Sequence, residues 1–313
     1  MSSAEKFRPT RFPLVSLLLL IGMIGAGIVA PHFVTGWRGG VFQVVAGDTL
    51  LPKIQLWLTL IIAQAALWVA SSFYLVATLG RLIRTMASPS QYIRAGFVSL
   101  LPAGLVLLVF VLKQQVHRAP VPPDKLGDYS ILNLPAFAGV GAAVAGLAVW
   151  GMYVICSVWQ GESNTLLMEA GKITRYVELR ESVLRFLFVA GVIMALGTVA
   201  SAALRNAVNA ERGPNYFAQE YVIIYGALYS ILLLAAYVPV YATFFITGAK
   251  LRESLCGEQP VSAADFKPWK ETRDAINETL GLTLSGAAAL GPLVSALLPL
   301  FSGWATSLIE AKK

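Results

Sequence analysis

Residues 221–248 read YVIIYGALYSILLLAAYVPVYATFFITG, a run with no Asp, Glu, Lys or Arg. At about 1.5 Å of rise per residue, a helix of this length clears the roughly 30 Å hydrocarbon core of a bilayer. The charged face that a helix turns to water is missing. Tyrosines at 221, 225, 229, 237 and 241 lie four or eight residues apart and form one ridge along the helix. Tyr221 and Tyr241 suit the two headgroup zones. Tyr229 and Tyr237 lie deeper, where a phenol needs a partner for its hydroxyl. Pro239 bends such a helix and frees a carbonyl.

Working outward, the same reading repeats at 13–34, 54–80, 95–112, 131–158 and 183–204, which makes six clear spans. A seventh apolar stretch, 280–304, carries Gly281, Gly286, Gly291, Pro292 and Pro299. The whole chain agrees. Of 313 residues, 57% are hydrophobic and 13% are charged, and the mean hydropathy is +0.68. Soluble domains carry about 25% charged residues. A chain this apolar cannot cover a compact surface with polar groups, so soluble, disordered and coiled-coil classes are excluded. The expected fold is an all-α, polytopic transmembrane bundle forming a single integral-membrane domain.

Fifteen basic residues fall in the segments that are inner if the N-terminus is inside, and seven in the outer loops. Lys and Arg concentrate in cytoplasmic loops, so the N-terminus is expected in the cytoplasm and the protein in the inner (plasma) membrane. The run after Lys6, Arg8 and Arg11 is too long for a signal peptide, and Pro31 follows the one cleavage point; it reads as an uncleaved span. Trp37, Trp57, Trp150, Trp159 and Trp304 fall near span ends, where indoles favour headgroups. Cys156 and Cys256 lie toward the cytoplasm and are expected as thiols, not a disulfide. The net charge of +7 is scattered, with no nucleic-acid patch.

Two inner segments stand out. Residues 160–185 suit an amphipathic helical extension running into the fifth span, with Glu181 and Arg185 paired at i,i+4. Residues 249–279 form a cytoplasmic or interfacial helical segment, capped at Ser262 or at Asp265. In the fourth span Gly139, Gly141 and Gly146 form small-xxx-small pairs with neighbouring alanines, the pattern of close helix packing.

The chemistry is notable for what it lacks. No span interior holds a charge, which argues against proton coupling. There is no phosphate loop, no HExxH zinc motif and no paired-histidine site inside the spans; His32 and His117 both lie at outer positions. No enzyme, cofactor or metal is expected. In 280–304, Gly291-Pro292 divides the stretch into halves too short to cross, so the segment is either a kinked seventh span or a re-entrant hairpin. The candidate conduit-lining residues are Thr283, Ser285, Gly291, Pro292 and Ser295, together with Gln64, Tyr229 and Tyr237. These features fit first an oligomeric channel or pore. They also fit a secondary permease for an uncharged or amphipathic solute, or a non-transporting adaptor that docks a cytoplasmic partner. The partners expected are the lipid bilayer and further copies of the chain.

The topology is directly testable. A reporter fused after Gly161 should be active in the cytoplasm, and a periplasmic signal there would reverse the orientation of every span.

Overall fold

A computed structural model of the protein describes residues 50–85, 134–162, 169–213, 218–257, 260, 262–282 and 286–311. Among these residues the chain is all-helical, with six helices: α1 (Leu50–Thr85), α2 (Leu134–Glu162), α3 (Glu169–Arg212), α4 (Glu220–Cys256), α5 (Ala263–Leu280) and α6 (Gly286–Ala311). Four stretches within them are long and apolar enough to cross a membrane: Thr59–Leu82, Ala143–Glu162, Gly171–Ala210 and Glu220–Cys256. They match the expected spans at 54–80, 131–158, 183–204 and 221–248. The expected spans at 13–34 and 95–112 lie outside the described residues, so the count of six plus one is reduced to four among those described.

The exposed surface among the described residues is compatible with a membrane environment. Leu56, Ile62, Ile224, Ile231, Val238, Ile246, Phe301 and Trp304 are all exposed. An apolar surface this extensive is costly in water and neutral against acyl chains.

The 44-residue helix α3 is the hub of the bundle and touches α1, α2, α4, α5 and α6. It carries residues 169–185 and the fifth span without a break. Leu179, Val183, Phe186, Leu187 and Ala190 are buried along it. Tyr74 meets Phe186 edge-on at 6.0 Å, joining α1 to α3. On α2, Gly151 leaves the room that the Phe186 ring fills.

Helix α6 removes one of the two readings of 280–304. The helix runs unbroken from Gly286 to Ala311 with Pro292 and Pro299 inside it, so there is no re-entrant hairpin at Gly291-Pro292. The discontinuity falls earlier, at Gly281, whose φ of 62° ends α5. A proline inside a helix leaves the carbonyl four residues back without its helical donor, and around Pro299 neighbouring helices pack onto the freed backbone. Pro299 has no N–H for the Ser295 carbonyl, and that carbonyl packs onto the Cα of Gly191 in α3. Leu300 N–H donates to Ser230 Oγ of α4 at 3.1 Å. The Pro299 carbonyl in turn rests on Gly226 of α4. Gly303 faces the Val222 carbonyl, 3.0 Å from where a Cβ would stand. Contact positions rise together on α3 and α6 (191 with 295, 198 with 303) and run oppositely on α4. So α6 lies parallel to α3 and antiparallel to α4. Its C-terminal end stands where α3 gives way to α4.

Other details depart from expectation. Trp159 is 1% exposed, and its indole donates to Thr247 Oγ1 at 2.9 Å. It is a core residue, because a hydroxyl inside the bundle satisfies its N–H. Trp57 is buried too, whereas Trp304 is 56% exposed. Helix α5 starts at Ala263 directly after Ser262, which excludes the start at Asp265 and leaves Pro268 inside the helix. Phe266, Trp269, Ile276 and Leu280 share one face of α5, an apolar stripe interrupted by Arg273: Ile276 and Leu280 pack on the bundle, Trp269 donates to the Cys256 carbonyl at 3.1 Å, and Phe266 is exposed. Arg273 lies 5.0 Å over the Trp269 ring, so the charge that interrupts this stripe is held by a cation–π contact.

Gly226→Val should destabilise the bundle by about 1–3 kcal/mol, since the new side chain meets backbone that cannot move aside. Ser230→Ala should cost about 1–3 kcal/mol by stranding the Leu300 N–H. Gly146→Val, with nothing near its Cβ position, should change little. Thermal unfolding of the three purified variants tests the ranking.

Candidate functional site

A groove of about 550 Å³ opens sideways on the bundle between α1 and α6, with α3 as its floor. Tyr74 stands on one wall. Leu184, Phe188 and Val189 form the floor, and Gly291, Pro292 and Ser295 form the other wall. Apart from Ser295, the Tyr74 hydroxyl and Arg185 at the rim, the lining is apolar. Arg185 donates to Glu181 at 3.0 Å, with both side chains more than half exposed. A surface pair of this kind contributes about 0–1 kcal/mol, so the guanidinium is free to take another oxygen partner.

Local sequence explains the shape. Gly291 has open space at its Cβ position, and the missing side chain leaves the groove unfilled. Pro292 has no amide proton, so the helix wall beside the groove lacks one internal hydrogen bond. Ser295 donates to the Gly291 carbonyl at 2.9 Å, which turns its hydroxyl inward along its own helix.

A second feature adjoins the groove at Leu184. Tyr176 and Arg180 of α3, Tyr237 and Tyr241 of α4, and Gly281 and Leu282 surround a notch of about 10 Å³. Tyr176 is buried, donates to the Phe244 carbonyl at 2.9 Å and packs edge-on against Trp159 at 5.3 Å. It fits because Gly248 has no side chain to meet it. Arg180 donates to the Gly281 carbonyl at 3.4 Å and lies flat over that residue, where any Cβ would strike the guanidinium.

The structure therefore brings Gly291, Pro292 and Ser295 to one groove. Tyr237 belongs to the notch instead. Tyr229 is half-buried against the core, and Gln64 is buried between α1 and α3, its amide 3.3 Å from the Gly197 Cβ position. Neither joins the groove. Thr283 and Ser285 lie outside the described residues. Of the glycines marked for close packing, Gly141 sits against the Trp68 ring of α1, 2.5 Å from its Cβ position. Gly146 meets nothing, and Gly139 lies in α2 where the surroundings are not described.

The hydroxyls within the spans mostly serve their own helices. Thr198, Ser201, Thr243, Ser295 and Ser302 each donate to the carbonyl four residues back. Between helices, Tyr153 donates to the Ala236 carbonyl at 3.1 Å and Cys156 to the Val240 carbonyl at 3.9 Å, both around Pro239. Sequence reasoning missed Tyr74, Phe188, Arg180, Tyr176 and Ser230. No motif marks them, and each depends on which helices become neighbours. Among the described residues no cluster of His, Cys, Asp and Glu is arranged to hold a metal. Compared with protein-family models, curated proteins and solved structures, the chain matches none.

Tyr176→Phe keeps the ring contacts and removes only the bond to the Phe244 carbonyl. It should lower stability by about 1 kcal/mol, whereas Gly248→Val, which displaces the ring itself, should cost more. Denaturation of both variants in the same detergent measures the difference.

Proposed function

We propose that this integral membrane protein binds an amphipathic solute in the α1–α3–α6 groove and acts as a permease for it. The observation that carries the reading is the groove itself: about 550 Å³, apolar along its floor, open to the side of the bundle, with an arginine at its rim. Ligand sites of this size are concave and mostly apolar, with a few polar groups fixing orientation. An acyl or other apolar segment fits along Phe188 and Val189, and a polar head meets Arg185 and Glu181. The channel reading drew on a break at membrane depth at Gly291-Pro292. Helix α6 runs through that point and is seated between α3 and α4, so the groove is the better-supported place for a solute. The inner-membrane location with a cytoplasmic N-terminus rests on the basic-residue bias, and assembly with further copies or a cytoplasmic partner stays part of the proposal.

The test uses Gly291→Phe. The new ring projects into the groove, and replacing a helix-interior glycine contributes up to about 1 kcal/mol of helix propensity. The variant should therefore fold as well as the parent or better. It should lose most of the crosslinking that a photoreactive acyl probe gives at Phe188 and Val189 in the parent. Undiminished labelling in the folded variant would remove the groove as the site.

A further inference from the structure

We propose that the notch at Arg180 is a binding site for an anionic oxygen group, a phosphate or carboxylate oxygen held by the Arg180 guanidinium with the Tyr237 and Tyr241 hydroxyls beside it. This site adjoins the groove at Leu184 and does not rest on its function.

The argument begins with how the charges pair. Along this stretch of α3 the arginines take their carboxylates in turn. Arg175 holds Glu162 at 2.6 Å and Glu178 at 3.4 Å, and Arg185 holds Glu181 at 3.0 Å. The acids nearest to Arg180 in sequence, Glu178 and Glu181, thus lie against its neighbours rather than against Arg180 itself. Among the described residues Arg180 has no carboxylate partner, and its one hydrogen bond is a long 3.4 Å contact to the Gly281 carbonyl. A guanidinium has five N–H donors in a fixed fork, so most of its capacity is unused. A half-buried cation in this condition is costly unless an anion completes it.

The surroundings are shaped for such a group. The rings of Tyr237 and Tyr241 lie 5.8 Å apart, and both line the notch with Arg180. Among the described residues neither hydroxyl has a hydrogen-bond partner. The notch, partly open to its surroundings, has about 10 Å³ of room at its base, enough for one oxygen-sized group. Gly281 fixes the cation from below: its φ of 62° and missing Cβ let the guanidinium lie against the backbone. Preorganised arginine forks are the usual protein solution for phosphate and carboxylate. The notch lies just before residue 183, where α3 enters the span read from the sequence, at the end of the bundle rich in basic residues. Lipid headgroups and dissolved phosphate both reach that depth.

The experiment uses the full chain, purified and delipidated. Native mass spectrometry measures retention of phosphatidylglycerol against phosphatidylcholine of matched chains, and thermal unfolding measures the response to millimolar inorganic phosphate. A lipid source predicts a preference for phosphatidylglycerol of about tenfold, the scale of one charge-assisted contact. Arg180→Gln should abolish that preference and Tyr237→Phe/Tyr241→Phe should weaken it. A dissolved source predicts instead that phosphate raises the unfolding temperature of the parent and not of Arg180→Gln, with no lipid preference. If the parent shows neither effect, or the variants retain both effects at full strength, the site does not exist. Should Arg180→Gln fail to fold, the double tyrosine variant decides. It leaves the Arg180–Gly281 contact intact, so unchanged binding in it overturns the proposal.

Discussion

The bundle depends on backbone brought into contact with backbone. Lipid tails are as apolar as leucine, so helices in a membrane gain nothing by hiding side chains from their solvent. Contact area has to come from shape. Here Gly191, Gly226 and Gly303 let α6 approach α3 and α4 until carbonyls rest on Cα atoms. That approach makes Pro299 of α6 tolerable. The acceptor freed by Pro299 meets Gly191, and the Leu300 N–H meets Ser230. Without this seating, unsatisfied backbone would face lipid, where each group costs several kcal/mol.

The position of α6 then sets where open space remains. Seated between α3 and α4, it leaves α1 at a distance, and the interval between α1 and α6 is the groove. At the end of α5, Gly281 and Leu282 close over Arg180 and complete the notch. The ion pairs described along α3 lie at 162–185, and beyond them the Thr198 and Ser201 hydroxyls bond within their own helix.

Much of the fold could be read in the sequence, because hydrophobic length is a one-dimensional signal. The runs at 54–80, 131–158, 183–204 and 221–248 each correspond to an observed helix. The reading failed where the outcome depended on neighbours. Gly291-Pro292 reads as a break in any single helix, yet the local sequence cannot reveal that Gly191, Gly226 and Ser230 support the next turn. Trp159 reads as a headgroup anchor from its place in the run, but Thr247 lies 88 positions away and supplies the acceptor that draws it inside. The site was legible in part for the same reason. Gly291, Pro292 and Ser295 announce themselves by composition. Tyr74 and Phe188 look like any other apolar-span residues until two helices are placed side by side. Arg180 is visible as a charge, but its lack of a carboxylate shows only once Arg175 and Arg185 are seen to hold theirs.

The contacts of Pro299 also impose an order of assembly. A helix whose carbonyl and amide groups are completed by two other helices is a poor solitary resident of a bilayer. It becomes a good one only when α3 and α4 already stand together to receive it. Chain order provides for this, since α3 and α4 precede α6 during synthesis and are joined by a short connection. The last helix therefore enters as a keystone. Variants that pull α3 and α4 apart are expected to loosen α6 before the rest of the bundle.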